Sequence, residues 1–404
     1  MAERAARHLA SAGERALSRS DIPAAISLLS RATELFEPND PRRIELLVDL
    51  AQALHESGDE GRARAVLDDA LDRARDQGDD RLVAHAMVRA LSATEAERTP
   101  EADREEARRA IAVFERHGDD RGLVRAWSLI AWAEWRGRRA VEVQRASERA
   151  LEHARRAGSP RDVAASVYLL GPALAHVPGP VEDAARRADE LIEEERGNRS
   201  VEAHLNHALA HLRGWTGRFD EARGHADRYR SILLENGQEA LACDASEAVA
   251  DVELWAGDTD AAIRILTENQ RRFDELGVTE TTLFPFLARA YVTAGRFEEA
   301  EGWALKAVES PHGLWQPIGQ AQLGLVRANQ GRGEEAEALA REAAGAFEGT
   351  DFLIFHGQTL VALAGVLEVL GRTDEATRVA EEAIELFERK GAVALADHAR
   401  TRQA

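Results

Sequence analysis

The chain has 404 residues, of which 44% are hydrophobic and 31% charged, with a formal net charge of −20. Alanine, leucine, glutamate and arginine predominate and only 11 residues are proline, a composition typical of helical proteins. The acidic balance argues against a nucleic-acid partner, because binding to a phosphate backbone depends on a basic surface.

The sequence predicts a cytoplasmic protein with no membrane partner. No window approaches 18 consecutive apolar residues, and the first residues lack the basic and apolar segments of a secretory signal. Cys243 is the only cysteine, so an intrachain disulfide is impossible and the chain fits a reducing compartment.

A short phrase recurs along the chain, in which a glycine is followed five residues later by an alanine. Glycine favours the left-handed conformation that ends a helix, and alanine lets the next helix pack closely on the first. An aspartate, a threonine or a nearby acid favours the start of that second helix. The clear pairs are Gly58 with Ala63, Gly217 with Ala222, Gly257 with Ala262, Gly295 with Ala300, Gly331 with Ala336 and Gly371 with Ala376.

Weaker forms of the phrase fill the intervals, at Ser20 with Ala25, near residue 98, near Gly137 and at Gly179 with Ala184. The turn markers therefore lie near residues 20, 58, 98, 137, 179, 217, 257, 295, 331 and 371. Ten markers about 39 residues apart predict an all-α protein of about ten helical hairpins, forming a single superhelix over residues 1–404. Residues 392–404 are predicted to form a C-terminal capping helix with its polar side outward.

The helices before the turn glycines resemble the first helix of the tetratricopeptide repeat. Residues 284–291 carry Phe284, Leu287, Ala288 and Tyr291 in the spacing of the repeat's W-x2-L-G-x2-Y core, and weaker versions surround Leu323 and Leu363. The interval exceeds the usual 34 residues, and the excess falls in loops between repeats. The resemblance implies a right-handed α-solenoid.

Longer segments, such as residues 113–138 and 386–400, resemble the C-terminal tetratricopeptide region of large actinobacterial signalling ATPases of the AAA/STAND type. In that family an adenylate/guanylate cyclase or a transcriptional-activator domain precedes the ATPase module and the repeats. The resemblance implies a sensor or docking arm and an upstream ATPase or cyclase as a possible partner. The nucleotide chemistry is not carried over, because the chain has neither a G-x-x-x-x-G-K-[ST] phosphate loop nor β-patterned runs.

The sequence offers no pattern for catalysis. It has no G-x-S-x-G elbow, and the spacing predicts no histidine beside Cys243 to activate its thiol. Paired carboxylates are frequent, but on helices such charge runs are usually solvated surface. We therefore expect no enzyme activity, no catalytic residue and no cofactor.

Aromatic residues crowd one predicted helix, at Trp127, Trp132 and Trp135. Tryptophan near the tip of a hairpin most often packs between helices, and stacking on a ligand is the alternative. Trp127 and Trp135 are kept as candidates for the binding face.

Three histidines, His204, His207 and His211, fall within an arc of about 60° on one helix. Counting the turn glycine as position 15 of its repeat, they occupy positions 2, 5 and 9, which in tetratricopeptide proteins line the concave groove. The same count in the next repeat gives Asp244, Glu247 and Asp251. The sequence thus predicts three histidines facing three acids, with the pKa values of all three histidines raised by the carboxylates.

Three interpretations of this stripe stay open: a metal site built on His207 and His211 with one of the acids, a groove for a peptide or partner, and a structural ladder. We expected no metal, because the axes of neighbouring helices lie roughly 8–10 Å apart and ligands must converge to about 2.1 Å from one point.

The sequence as a whole favours a non-catalytic scaffold whose concave face binds a protein or peptide. The alternative is a regulatory arm of a cyclase or ATPase that senses a small molecule or a partner.

Overall fold

A computed structural model describes residues 2–18, 21–93, 98–277, 281–310 and 313–403. Within these ranges it contains twenty-two α-helices and no strand. The helices are α1 Ala2–Ser18, α2 Ile22–Leu35, α3 Pro41–Glu56, α4 Glu60–Gln77, α5 Asp80–Ala93, α6 Pro100–His117, α7 Asp120–Arg136, α8 Ala140–Ala157, α9 Pro160–His176, α10 Val181–Glu194, α11 Arg199–Trp215, α12 Phe219–Glu235, α13 Glu239–Asp244, α14 Ser246–Ala256, α15 Thr259–Leu276, α16 Leu283–Thr293, α17 Phe297–Val308, α18 Trp315–Asn329, α19 Gly333–Gly345, α20 Leu353–Val369, α21 Thr373–Lys390 and α22 Val393–Gln403.

The helices pair along the chain into ten hairpins followed by the single helix α22. We call the first helix of each hairpin its A-helix; in the seventh hairpin this is α14, preceded by the short α13. The predicted all-α solenoid of about ten hairpins is confirmed. Its right hand and its continuity as one superhelix stay predictions. Among the described helices, none is long and apolar enough to cross a membrane.

The turn glycines and their alanine partners behave as the repeated phrase predicts. The six clear glycines have φ between 70° and 89°, and their alanines are at most 1% exposed. Near residue 137 it is Arg138, at φ 56°, that takes the left-handed conformation. The marker at Ser20 lies outside the described residues. Close helix packing therefore follows each of these six glycines.

Among the six clear turns, the start of the second helix has a side-chain cap only where aspartate follows the glycine. The side chain of Asp59 accepts a hydrogen bond from the backbone N–H of Arg62, and that of Asp258 accepts one from Ala261. In other hairpins the residue after the glycine is an arginine, such as Arg296 or Arg372, whose side chain does not cap the helix. Glutamates in the first turn of these helices complement the helix dipole instead.

The chain divides into two compact units. Unit 1 comprises Met1–Glu134 with Arg145–Ser166, and unit 2 comprises Trp135–Gln144 with Val167–Ala404. The boundaries fall inside α7, α8 and α9, so no linker separates the units along the chain.

Unit 2 closes on itself through contacts between residues far apart in the sequence. Nη2 of Arg138 donates to the carbonyl of Gly313 at 2.7 Å, and the backbone N–H of Val141 donates to Oδ2 of Asp351 at 3.1 Å. Helix α22 packs on α21 and also touches α11 and α14. A linear repeat array has contacts between neighbouring repeats only, so these contacts make unit 2 a closed body.

Lys390, at the end of α21, contributes to this closure. Its side chain is buried, and Nζ donates to the carbonyl of Val177 at 2.5 Å. Burial lowers the pKa of Lys390 to about 8. Burying this ammonium group is unfavourable, but its hydrogen bond to Val177 joins α21 to the end of α9.

Candidate functional site

The predicted histidine stripe lies on α11, the A-helix of the sixth hairpin, and one of the predicted acids meets it from α14. Oε1 of Glu247 lies 2.6 Å from Nε2 of His207 and 3.3 Å from Nε2 of His211. The other carboxylate oxygen, Oε2, accepts a hydrogen bond at 2.6 Å from the backbone N–H of Ala248. Two imidazoles one helical turn apart therefore share a single carboxylate oxygen.

The pKa values in this cluster divide according to carboxylate contact. Burial raises the pKa of Glu247, but the charges and hydrogen bonds of His207 and His211 outweigh it and hold that pKa well below its usual value. Burial lowers the pKa of His207, but the neighbouring Glu247 carboxylate has the larger effect, so the pKa of His207 is raised. Burial and the charge of His207 lower the pKa of His204 to about 4. The predicted increase is confirmed for His207 and wrong for His204, whose ring packs edge-on against Tyr168 instead of meeting an acid.

The two other predicted acids have different roles from the one expected. Asp251 forms an ion pair with Nη2 of Arg289, which reaches it from α16 in the next hairpin. Asp244, the last residue of α13, contributes negative charge that acts on His207. The predicted ladder of three histidines and three acids is therefore reduced to one shared carboxylate with an acid beside it.

A series of aromatic rings continues from this cluster through the interior of unit 2. His211 lies 5.9 Å from Trp215, Trp215 lies 5.8 Å from His176, and His176 stacks on Phe352 at 4.6 Å, measured between ring centroids. Trp135 meets His176 and Phe352 with its edge, at 6.0 and 5.1 Å. Trp135 therefore packs between helices, the more frequent of the two roles considered for these tryptophans.

Trp127 lies in unit 1, half-buried in the middle of α7. Its predicted place on the binding face stays a prediction.

A cavity of about 70 Å³ opens on the A-helix face of unit 2. Its walls come from α14, α16, α18, α20 and α22, with Phe387 contributed by α21. The apolar part includes Leu254, Trp255, Leu325, Val361, Ala362 and Leu395, and the polar part is Arg289, Thr293, Gln322, Gln358 and His398. Within the described ranges, Nε of Arg289 and Oε1 of Gln358 are buried without a hydrogen-bond partner.

Sequence reasoning missed this cavity although the necessary signal was present. Counted from the turn glycines Gly295 and Gly371, Arg289 stands at position 9, and Gln358 and Val361 stand at positions 2 and 5. These are the positions that identified the histidines, so extending the count to later repeats would have found the cavity lining.

Unit 1 has a larger groove, of about 530 Å³, between α4, α5 and α6. Aliphatic side chains such as Val83, Met87 and Leu91 line it, with charged residues including Arg75 and Glu106 in its wall. Its charged groups are already paired, Glu106 with Arg109 and Asp80 with Arg116, whereas the unit 2 cavity is lined by side chains with unpartnered polar atoms. The unit 2 face is therefore the better candidate site.

A family model described as the tetratricopeptide repeat matches residues 16–89. This part of the chain, in unit 1, is a tetratricopeptide-repeat segment. The repeat type predicted from the sequence is therefore confirmed for these residues. The predicted relation to actinobacterial cyclase or activator proteins stays a prediction, and no curated protein matches the chain.

Solved structures with tetratricopeptide-type solenoids are similar to the whole chain at low sequence identity. A Rap protein complexed with competence and sporulation factor is 10% identical with a TM-score of 0.50, covering 90% of this chain and 97% of that one. A STAND protein with a tetratricopeptide repeat sensor from Pyrococcus horikoshii is 15% identical with a TM-score of 0.40, covering 94% and 67%. Yeast Tom70 is 14% identical with a TM-score of 0.37, covering 100% and 97%. At such identities the likeness to the Rap protein supports the fold alone.

Proposed function

We propose that the chain is a non-catalytic scaffold that binds a peptide, or an extended segment of a partner protein, on the A-helix face of unit 2. The observation that carries this proposal is the cavity formed by the four A-helices α14, α16, α18 and α20 together with α22 and Phe387 of α21. A cavity of about 70 Å³ has room for one side chain of a bound segment, with the rest of the segment lying along the neighbouring helices.

The chemistry of the lining suits a peptide. Buried polar groups in proteins are normally hydrogen-bonded, so rotation of the lining side chains Arg289 and Gln358 would bring an unpartnered donor and acceptor to the cavity. Main-chain amides of a peptide supply the complementary acceptor and donor. Trp255, Leu325 and Val361 provide apolar surface for an anchoring side chain, and such anchors supply most of the binding energy in interfaces of this kind.

The predicted binding residues on α11, α13 and α14 extend this face. His204, His207, His211, Asp244, Glu247 and Asp251 stay candidates for its polar part, and Trp255 of α14 joins them to the cavity. Trp135 is left out because it packs in the interior of unit 2, and Trp127 of unit 1 stays a separate candidate.

The test is selection of peptides from a random display library on the intact immobilised chain, followed by affinity measurement with the recovered peptides. Val361→Trp fills the cavity, and Val369→Trp places the same side chain at an exposed position at the end of the same helix. We expect binding to weaken by about 10-fold or more with Val361→Trp and to stay unchanged with Val369→Trp. Equal binding by both variants would contradict the proposal, and a library that yields no binder would favour a small-molecule-sensing arm instead.

A further inference from the structure

We propose that His207, His211 and Glu247 form a binding site for a divalent transition-metal ion, with Zn²⁺ the best match, that links α11 to α14. This inference goes beyond the scaffold function and does not depend on it. Within the described part of the chain, these three residues form the one group of metal-ligating side chains whose ligand atoms all lie within 4.8 Å of one another.

The distances are close to those that a bound ion requires. Zinc ligands at about 2.0–2.1 Å in tetrahedral geometry are separated from one another by about 3.3 Å. The distance between Nε2 of His211 and Oε1 of Glu247 is already 3.3 Å, and that between Nε2 of His207 and the same oxygen is 2.6 Å. Opening the shorter contact by about 0.7 Å is within the reach of side-chain rotation.

The spacing of the helix axes therefore does not exclude a metal ion at this place. Helices 8–10 Å apart are too distant for backbone groups to share an ion, but two histidines at i and i+4 on one helix and a glutamate on the next span that gap. Here the three side chains already converge on one carboxylate oxygen.

The ligand types select the ion. Two imidazoles with one carboxylate suit zinc and its transition-metal neighbours, whereas magnesium and calcium prefer oxygen ligands alone. Such a set leaves a fourth position for water or for Asp244, whose charge already acts on His207. Asp251 is excluded as a ligand because its carboxylate already forms an ion pair with Arg289.

The surroundings hold the ligands in place and leave them accessible. The hydrogen bond from the backbone N–H of Ala248 fixes Oε2 of Glu247, so that Oε1 points to the imidazoles. The ring of His207 lies 4.8 Å from that of Tyr229 and 5.0 Å from that of His211. The side chains of His207, His211 and Glu247 are 20%, 17% and 9% exposed, which lets an ion enter without unfolding of the helices.

The site is tested by titrating the metal-free intact chain with Zn²⁺ in a calorimeter, and with Co²⁺ as a probe whose visible absorption reports the ligand geometry. We expect one ion per chain, no binding of Mg²⁺, and a loss of affinity of about 100-fold or more in His207→Gln and His211→Gln. His356→Gln, the same substitution on a half-buried histidine in α20, should bind Zn²⁺ as the unaltered chain does.

A second measurement covers the case in which a histidine variant folds poorly. Zn²⁺ should raise the melting temperature of the unaltered chain and of His356→Gln, because a ligand that binds the folded state stabilises it. It should have no such effect on Glu247→Gln, which keeps the size of the side chain and its ability to hydrogen-bond. Stoichiometry well below one, or equal affinity in the ligand variants and the control, would overturn the proposal.

Discussion

Both compact units bury a carboxylate on an A-helix, and they neutralise it in different ways. In unit 1, Asp49 on α3 accepts hydrogen bonds from Nη2 of Arg125 at 2.5 Å and from Nη2 of Arg121 at 3.3 Å. In unit 2, Glu247 on α14 meets the imidazoles of His207 and His211. Both carboxyl groups keep a lowered pKa although burial alone would raise it.

The two clusters differ in whether the groups that bond to the carboxylate can lose a proton. An arginine guanidinium stays protonated throughout the range in which proteins fold, so the two groups that bond directly to Asp49 keep one charge state and cannot be exchanged for a metal ion. An imidazole can release a proton and become a neutral metal ligand. One solenoid thus carries a fixed ionic cluster in unit 1 and an exchangeable one in unit 2.

The largest expected effect comes from removing the fixed carboxylate. Asp49→Asn leaves the guanidinium of Arg125 in its half-buried place without an anion, so we expect a loss of about 3 kcal/mol in the free energy of unfolding. Urea denaturation measures it, with Asp220→Asn, whose carboxylate is fully exposed, as the control within about 0.5 kcal/mol of the unaltered chain. A loss below about 1 kcal/mol would show that the arginines do not depend on Asp49.

The second effect concerns pH and the ring series of unit 2. Burial, reinforced by the charges of Lys390 and His211, holds the pKa of His176 well below its usual value. Below about pH 6.5 the unfolded chain therefore binds a proton that the folded chain excludes, and stability falls by up to about 1.4 kcal/mol per pH unit for this residue.

His176→Phe should remove this contribution, since Phe352 and Phe355 already surround the ring and accept another. Unfolding free energies measured between pH 7 and pH 5 should fall less steeply in this variant than in the unaltered chain. His8→Phe, a substitution at an exposed site on α1, should keep the original slope. Parallel curves for all three proteins would contradict the burial argument.

The smallest effect is expected at the exchangeable carboxylate. In metal-free buffer at neutral pH, Glu247→Gln should cost only about 1 kcal/mol, because the imidazoles can lose their proton and stay as neutral groups beside the amide. The same urea experiment measures it. A loss as large as that of Asp49→Asn would mean that the two carboxylates are held alike, and the contrast between the units would fail.

The sequence predicted the parts of the structure that depend on local repetition. The turn glycines, the buried alanines and the shared face of His207 and His211 follow from helix geometry and from the position within a repeat. The contact of Glu247 with them follows from applying that position to the next hairpin.

The remaining features depend on side-chain reach and on long-range closure, which a nearest-neighbour pattern does not contain. Arg289 forms an ion pair with Asp251 because its long side chain reaches back from α16 to the preceding hairpin. Lys390 and Val177 are 213 residues apart in the sequence yet form a hydrogen bond. No repeat count could have placed them together.

The central claim, that unit 2 binds a peptide on its A-helix face, is tested most directly by hydrogen–deuterium exchange of the intact chain with and without a selected peptide. We expect slower exchange in α14, α16, α18, α20 and α22, the helices that supply all of the cavity lining except Phe387 of α21, and unchanged exchange in unit 1. Protection confined to the groove between α4, α5 and α6, or to the outer helices of the hairpins, would contradict it.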